Sequence, residues 1–189
     1  MSTAYKAVVI GGSAGSFPVL TKILMELPGN YRLPVLVTMH RLKHVREGFA
    51  EALNYKAQLK VSEPYDKERI KSGQAWLAPA NYHMLVEAVG HTIALSTGEL
   101  VRFSRPSIDV MLESAADCYR DKLIAVLLSG ANTDGVNGMT KIKALGGTTI
   151  AQDPDECAVR TMTESAIKRD CIDKVLNTNG IVEFLKAVA

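Results

Sequence analysis

The chain has 189 residues, 47% of them hydrophobic, and a formal net charge of +2 at pH 7. That length buries a sizeable core and suits one domain, and the near-balanced charge carries no footprint of nucleic-acid binding. No apolar run reaches membrane-spanning length and the N-terminus lacks the charged and apolar regions of a signal peptide, so neither membrane insertion nor export is expected.

Cys118, Cys157 and Cys171 are odd in number and follow no CxxC spacing, which predicts reduced core thiols in a cytoplasm. Residues 1–189 contain no repeat, low-complexity tract or linker, so a single domain is expected.

The first informative stretch is AVVIGGSAGSFP, residues 7–18. Ala7, Val8, Val9 and Ile10 form a short apolar run ending in glycines, which predicts a buried strand. Leu20, Ile23, Leu24 and Leu27 then share one face of a helix. Between them, Gly11, Gly12, Ser13, Ala14 and Gly15 set Ser13 at the carboxyl end of a strand, close to a helix N-terminus. Unpaired N–H groups and the helix dipole favour negative charge there. Gly11-x-Ser13-x-Gly15 fits the nucleophile elbow, in which small neighbours let a turn hold a serine hydroxyl clear of the surface. The same residues also read as a phosphate loop. Against that reading, the spacing is not G-x-G-x-x-G, no Gly-Lys-Ser/Thr follows, and the next strand ends in Thr38-Met39-His40 without an acid for a ribose hydroxyl. The motif alone leaves both readings open.

Pro28-Gly29-Asn30 marks a turn, and a second strand at 35–38 delivers His40 at its carboxyl end. A helix at about 45–53, a strand near 59–61 and an exposed polar connection at 67–73 follow. A short strand is predicted at 76–79, and the runs at 84–87 and 92–95 flank a turn, which predicts an antiparallel hairpin at a sheet edge. Ser107 is the expected N-cap of a helix containing Ile108, Met111, Leu112 and Ala115, with Asp109 in its first turn. The clearest buried strand is 123–128. Its loop, Ser129 to Gly135, opens a helix at 136–145 stopped by Gly146-Gly147. A strand at 148–151, a helix at 158–169, a short apolar piece at 175–176 and a helix at 181–188 capped by Asn179 complete the chain. Alternation of strands and helices predicts an α/β, doubly wound, mostly parallel sheet with helices on both faces and an antiparallel edge hairpin. Ligands of such sheets sit at the carboxyl ends of the strands. Ser13, His40 and Asp134 all fall there.

Serine hydrolysis needs a hydroxyl, a histidine to take its proton and a carboxylate to orient the imidazole. Among the four histidines, His91 reads as a solvated turn residue and His83 as structural or at the rim. His40 and His44 have a spacing that can bind metal on a helix, but no glutamate follows His40 as in H-E-x-x-H, so no metal is expected. His40 is the favoured base. Helix capping accounts for Asp109 and a turn before Pro154 for Asp153; Asp134, after the central-looking strand, is the favoured acid. The order Ser, His, Asp matches neither the α/β-hydrolases nor the chymotrypsin or subtilisin order.

Several blocks resemble the catalytic domain of the chemotaxis-receptor protein-glutamate methylesterases, the CheB family. They are IGGSAG, Met39-His40, Leu77-Ala78-Pro79 with His83-Met84-Leu85, Arg105 to Val110, Leu128-Ser129-Gly130 with Asp134-Gly135 and Gly138-Met139, and Gly146 to Asp153. The resemblance implies a catalytic triad at Ser13, His40 and Asp134, with backbone N–H groups near Ala14 and Ala131 at the oxyanion site. It implies no cofactor, a methylated chemoreceptor-like protein as substrate, and receptor glutamine deamidation as a second activity. An alternative is a weakly active or inactive relative acting as a receptor-binding or scaffolding module. Where the family has a threonine after the serine and Gly-Met-Gly before the aspartate motif, this chain has Ala14-Gly15-Ser16 and Gly130-Ala131-Asn132. The family's N-terminal receiver domain finds no room before the first strand, so a separate receiver-domain regulator is expected.

Overall fold

The computed structural model describes residues 5–41 and 48–189. Its strands are Ala7–Gly12 (β1), Val35–Met39 (β2), Lys60–Ser62 (β3), Gln74–Leu77 (β4), His83–Glu87 (β5), Thr92–Ser96 (β6), Leu123–Leu127 (β7), Thr148–Gln152 (β8) and Lys174–Leu176 (β9). The helices are Phe17–Glu26 (α1), Phe49–Lys56 (α2), Ile108–Tyr119 (α3), Val136–Ala144 (α4), Thr161–Lys168 (α5) and Thr178–Ala187 (α6). Seven strands form one sheet in the order β3-β4-β2-β1-β7-β8-β9, with every pairing parallel.

The doubly wound architecture follows from the period of two along each strand. Val8 and Ile10 of β1 join Leu20, Ile23 and Leu24 of α1 and Ile181 and Leu185 of α6 in one core layer. Ala7 and Val9 face the opposite layer, with Met111, Leu112 and Ala115 of α3 and Met139 and Ile142 of α4. Because both faces are covered, the strand reads as one continuous apolar run rather than an alternation. The chain winds outward from β1 to one side and returns to β7 on the other, so the switch of direction lies between these two strands. Crevices at such points are the usual ligand sites of open α/β sheets.

The hairpin departs from the expectation in one respect: β5 and β6 form a separate two-stranded sheet. It lies on α3, with the Val86 N–H donating to Ser114 Oγ at 3.0 Å and Met84, Val86 and Ile93 buried in the α3 layer. The polar connection before β4 completes it, since the Lys67 and Ile70 N–H groups donate to the Ile93 and His91 carbonyls, and Ile93 N–H to Glu68. Those bonds satisfy backbone that an edge position in the main sheet would otherwise serve.

Local boundaries shift for physical reasons. Helix α5 starts at Thr161 rather than 158, because the Val159 N–H and carbonyl are tied to Ser129 Oγ and the Gly130 N–H. Asn177, not Asn179, caps α6: its side chain accepts from Gly180 N–H at 2.7 Å, while Asn179 accepts from Lys22 Nζ. The start predicted for the helix at 45 lies outside the described residues; α2 begins at Phe49. Of the three free thiols only Cys171 is fully buried, Cys118 and Cys157 being half-buried. Among the described residues, no helix is long and apolar enough to cross a membrane.

Candidate active site

The site begins with strand register. The last paired positions of β1 and β2 are Gly12 and Met39, so Ser13 and His40 are the next residue on two neighbouring strands. The His40 N–H donates to the Gly12 carbonyl at 3.1 Å, and the Ser13 N–H donates to Ser129 beyond β7 at 2.9 Å. Both backbones are therefore fixed by the sheet. A Cβ on Gly11 would lie 2.4 Å from Ile108 Cγ2, and one on Gly12 would lie 2.5 Å from Ser16 Oγ, so close packing demands both glycines. The turn differs from a nucleophile elbow. Its left-handed residue is Gly15, at φ +79°, and not Ser13. The Ser13 carbonyl closes the turn by accepting from both the N–H and the hydroxyl of Ser16.

The three predicted residues meet. Ser13 Oγ lies 3.1 Å from His40 Nδ1, and His40 Nε2 lies 2.7 Å from Asp134 Oδ2. The His40 side chain is 13% exposed and that of Asp134 is fully buried. The carboxylate can only accept, so Nε2 carries the proton and Nδ1 is left to accept from the serine hydroxyl. Relative to the serine-protease template, the two ring nitrogens have exchanged partners.

Asp134 rests on the N-terminus of α3. Ser107 donates its hydroxyl to Oδ1 at 2.9 Å, Asp109 its N–H to Oδ1 at 3.0 Å, and Ile108 its N–H to Oδ2 at 2.7 Å. Burial by itself would push this carboxyl up. The hydrogen bonds from His40, Asp109 and Ile108, with the attraction of His40, outweigh it and hold the group below the ordinary carboxylate range.

Ser107 was expected as the N-cap of α3, and its side chain does accept from Val110 N–H. Its bond to Asp134 was not legible, although a helix N-terminus is a generic anion site. Behind it, His83 accepts from the Ser107 N–H through Nδ1 at 3.1 Å and donates through Nε2 to the Glu99 carbonyl at 2.8 Å, a structural role as expected. Asp109 corrects the capping expectation. Its buried carboxylate reaches across to α4, accepting from Gly138 N–H at 2.8 Å, and faces Arg102 Nε at 3.4 Å. Burial and the nearby Asp134 charge raise its pKa against the pull of Gly138 and Arg102.

Ala14 and Ala131 are both exposed on loops that flank Ser13. Among the described residues, neither N–H donates to a protein acceptor. Asn132 accepts from the Asp134 N–H through Oδ1 at 3.0 Å, shaping the loop as an Asx turn. Asp153 serves the turn predicted for it, accepting from Asp155 N–H. His91 is exposed at the hairpin turn and stacks on Tyr119. His44 lies outside the described residues.

With this geometry in place, the likeness to known proteins becomes specific. A family model described as CheB methylesterase matches residues 8–185. A Leptospira interrogans protein, provisionally named a protein-glutamate methylesterase/protein-glutamine glutaminase, is 42% identical over 180 residues, covering 95% of this chain and 93% of that protein. The protein-glutamate methylesterase/protein-glutamine glutaminase of Thermotoga maritima is 35% identical over 182 residues, of which this chain spans 53% of the length. The crystal structure of the Thermotoga maritima CheB methylesterase catalytic domain superposes with a TM-score of 0.93 at 34% identity, covering 98% of this chain and 99% of that one. Sequence and fold together place the chain in the CheB methylesterase family.

Proposed function

We propose that the protein is a serine carboxylic-ester hydrolase that removes methyl groups from glutamyl methyl esters of a chemoreceptor-like protein. The observation that carries this reading is the unbroken hydrogen-bonded chain from Ser13 through His40 to the buried Asp134. Ser13 Oγ attacks the ester carbonyl while His40 Nδ1 takes its proton. The imidazolium so formed is stabilised by Asp134 and returns the proton to departing methanol. The Ala14 and Ala131 N–H groups stabilise the oxyanion, and water then hydrolyses the acyl-enzyme by the same steps in reverse. A receptor glutamine would react alike, with ammonia as the leaving group. The chemistry calls on no cofactor.

The kinetic test uses single and double substitutions. Ser13→Ala and His40→Ala should each lower turnover by several orders of magnitude, and the double variant should be little worse, because the two residues act as a unit. Additive losses would separate the two residues and defeat the mechanism.

A further inference from the structure

We propose that a cleft of about 390 Å³ beside the Asp134 loop is a carboxylate-binding subsite for the substrate protein. The identity of that substrate rests on the methylesterase reading; the site itself rests on charge and placement. The cleft lies between Arg102, the start of α4 and the end of α5, and its lining includes Thr133, Asn137, Ser165, Lys168 and Arg169. Thr133 immediately precedes Asp134, so a chain bound here is held against the loop that carries the acid of the site.

Among the described residues, three cations and no acid line the cleft. With a net charge of only +2 on the whole chain, this is a local concentration rather than a general surplus. Several cations are matched: Arg102 itself faces Asp109 at 3.4 Å, half-buried Lys143 faces Asp170 at 3.6 Å and Arg160 faces Glu164 at 3.8 Å. Among the described residues, Lys168 and Arg169 have no acidic group within 4.0 Å. Cations in the last turn of a helix complement its dipole. That accounts for their place on α5, but not for the third cation facing them.

Arg102 is held on the cleft by a tight turn. Arg102 and Phe103 are consecutive non-glycine residues in the left-handed region, at φ 48° and 62°, and Val101 and Ser104 exchange backbone hydrogen bonds around them. Such conformations persist where the surroundings over-determine them. Here Arg102 Nη1 donates to Thr133 Oγ1 at 2.9 Å and Nε faces Asp109, while the side chain keeps 40% of its exposure for a ligand. A broad, open, cationic cleft with hydroxyl and amide donors suits several carboxylates spread along a chain. Ester hydrolysis itself leaves a carboxylate, so a substrate segment with more than one such glutamyl side chain presents acids beside the remaining ester.

The test is binding to the Ser13→Ala protein, which leaves the ester intact. The probes are two peptides with one glutamyl methyl ester, flanked by glutamates in one and by glutamines in the other. The glutamate-flanked peptide should bind about tenfold tighter, equivalent to about 1.4 kcal/mol. That preference should fall to about one when Lys168→Gln and Arg169→Gln are added, and survive Lys168→Arg with Arg169→Lys. Equal affinities in the parent, or a preference untouched by the glutamine variant, would overturn the subsite. Inorganic phosphate displacing the acidic peptide at equal concentration would overturn it in favour of a small-anion site. Methanol release from the glutamine-flanked ester by the protein with Ser13 intact reports separately on the methylesterase reading.

Discussion

Ser107 donates its hydroxyl to Asp134 Oδ1 at 2.9 Å while its oxygen accepts from the Val110 N–H, so one side chain both caps α3 and holds the buried Asp134 carboxylate. Ser107→Ala removes a cap, worth about 1 kcal/mol, and a hydrogen bond to a buried charge. The expected outcome is a roughly tenfold lower turnover and a melting temperature several degrees lower, with substrate KM little changed. Steady-state kinetics and thermal unfolding of the same preparation check both. A loss of stability with full turnover would show that Ser107 only caps the helix.

Asp134→Asn tests orientation and folding together. Four donors converge on this side chain, from Ser107, Ile108, Asp109 and His40. An amide offers one oxygen and turns its NH₂ toward donors. Turnover should fall on the order of 10⁴, as for the corresponding change in the serine-protease template. Because the pKa of Asp134 is depressed in the fold, its stabilising contribution is present above the ordinary carboxylate range and lost as pH falls through its folded value. The stability deficit of the variant should therefore be full at neutral pH and shrink in acid. Denaturant unfolding across pH measures it; a deficit that grows in acid would contradict the assignment.

Asp109 has the opposite sign. Its folded pKa is raised, so the stability it contributes is present below the ordinary carboxylate range and lost as pH rises through the folded value. Asp109→Asn keeps an acceptor for the Gly138 N–H and removes a buried charge next to Asp134. The melting temperature of the variant relative to the parent should rise from acid to neutral pH. A relative fall over that range would mean that the Arg102 ion pair dominates.

Gly11→Ala probes the packing behind the site. The new Cβ would meet Ile108 Cγ2 at 2.4 Å, pushing the residue whose N–H binds Asp134 Oδ2. Overpacking of this kind costs about 1–3 kcal/mol. We expect lower stability together with a turnover loss, although the glycine touches no reacting atom. Unchanged turnover would show that the α3 N-terminus tolerates displacement.

How much of this was legible in the sequence varies residue by residue. Ser13, His40 and Asp134 each stand just after an apolar strand, and strand ends are where open α/β sheets place their chemistry, so local pattern sufficed to nominate them. That β2, β1 and β7 are neighbours is a property of strand order, which no single stretch encodes. The exchange of ring nitrogens at His40 depends on the angle at which the imidazole meets both partners. The bonds from Asp109 to Gly138 and from His83 to Ser107 join residues 29 and 24 positions apart, and short-range periodicity does not report them. The hairpin stood out in the sequence, but its separation from the main sheet depends on hydrogen bonds made by a connection that reads as merely polar.

If Ser13 is the nucleophile of a glutamyl methyl esterase, turnover depends on its hydroxyl. The most direct measurement is methanol release from a methylated chemoreceptor fragment by the parent protein and by Ser13→Ala under the same conditions. The parent should release methanol at a rate proportional to enzyme concentration, and the substitution should lower that rate by several orders of magnitude. Equal release by the two proteins would remove Ser13 from the reaction.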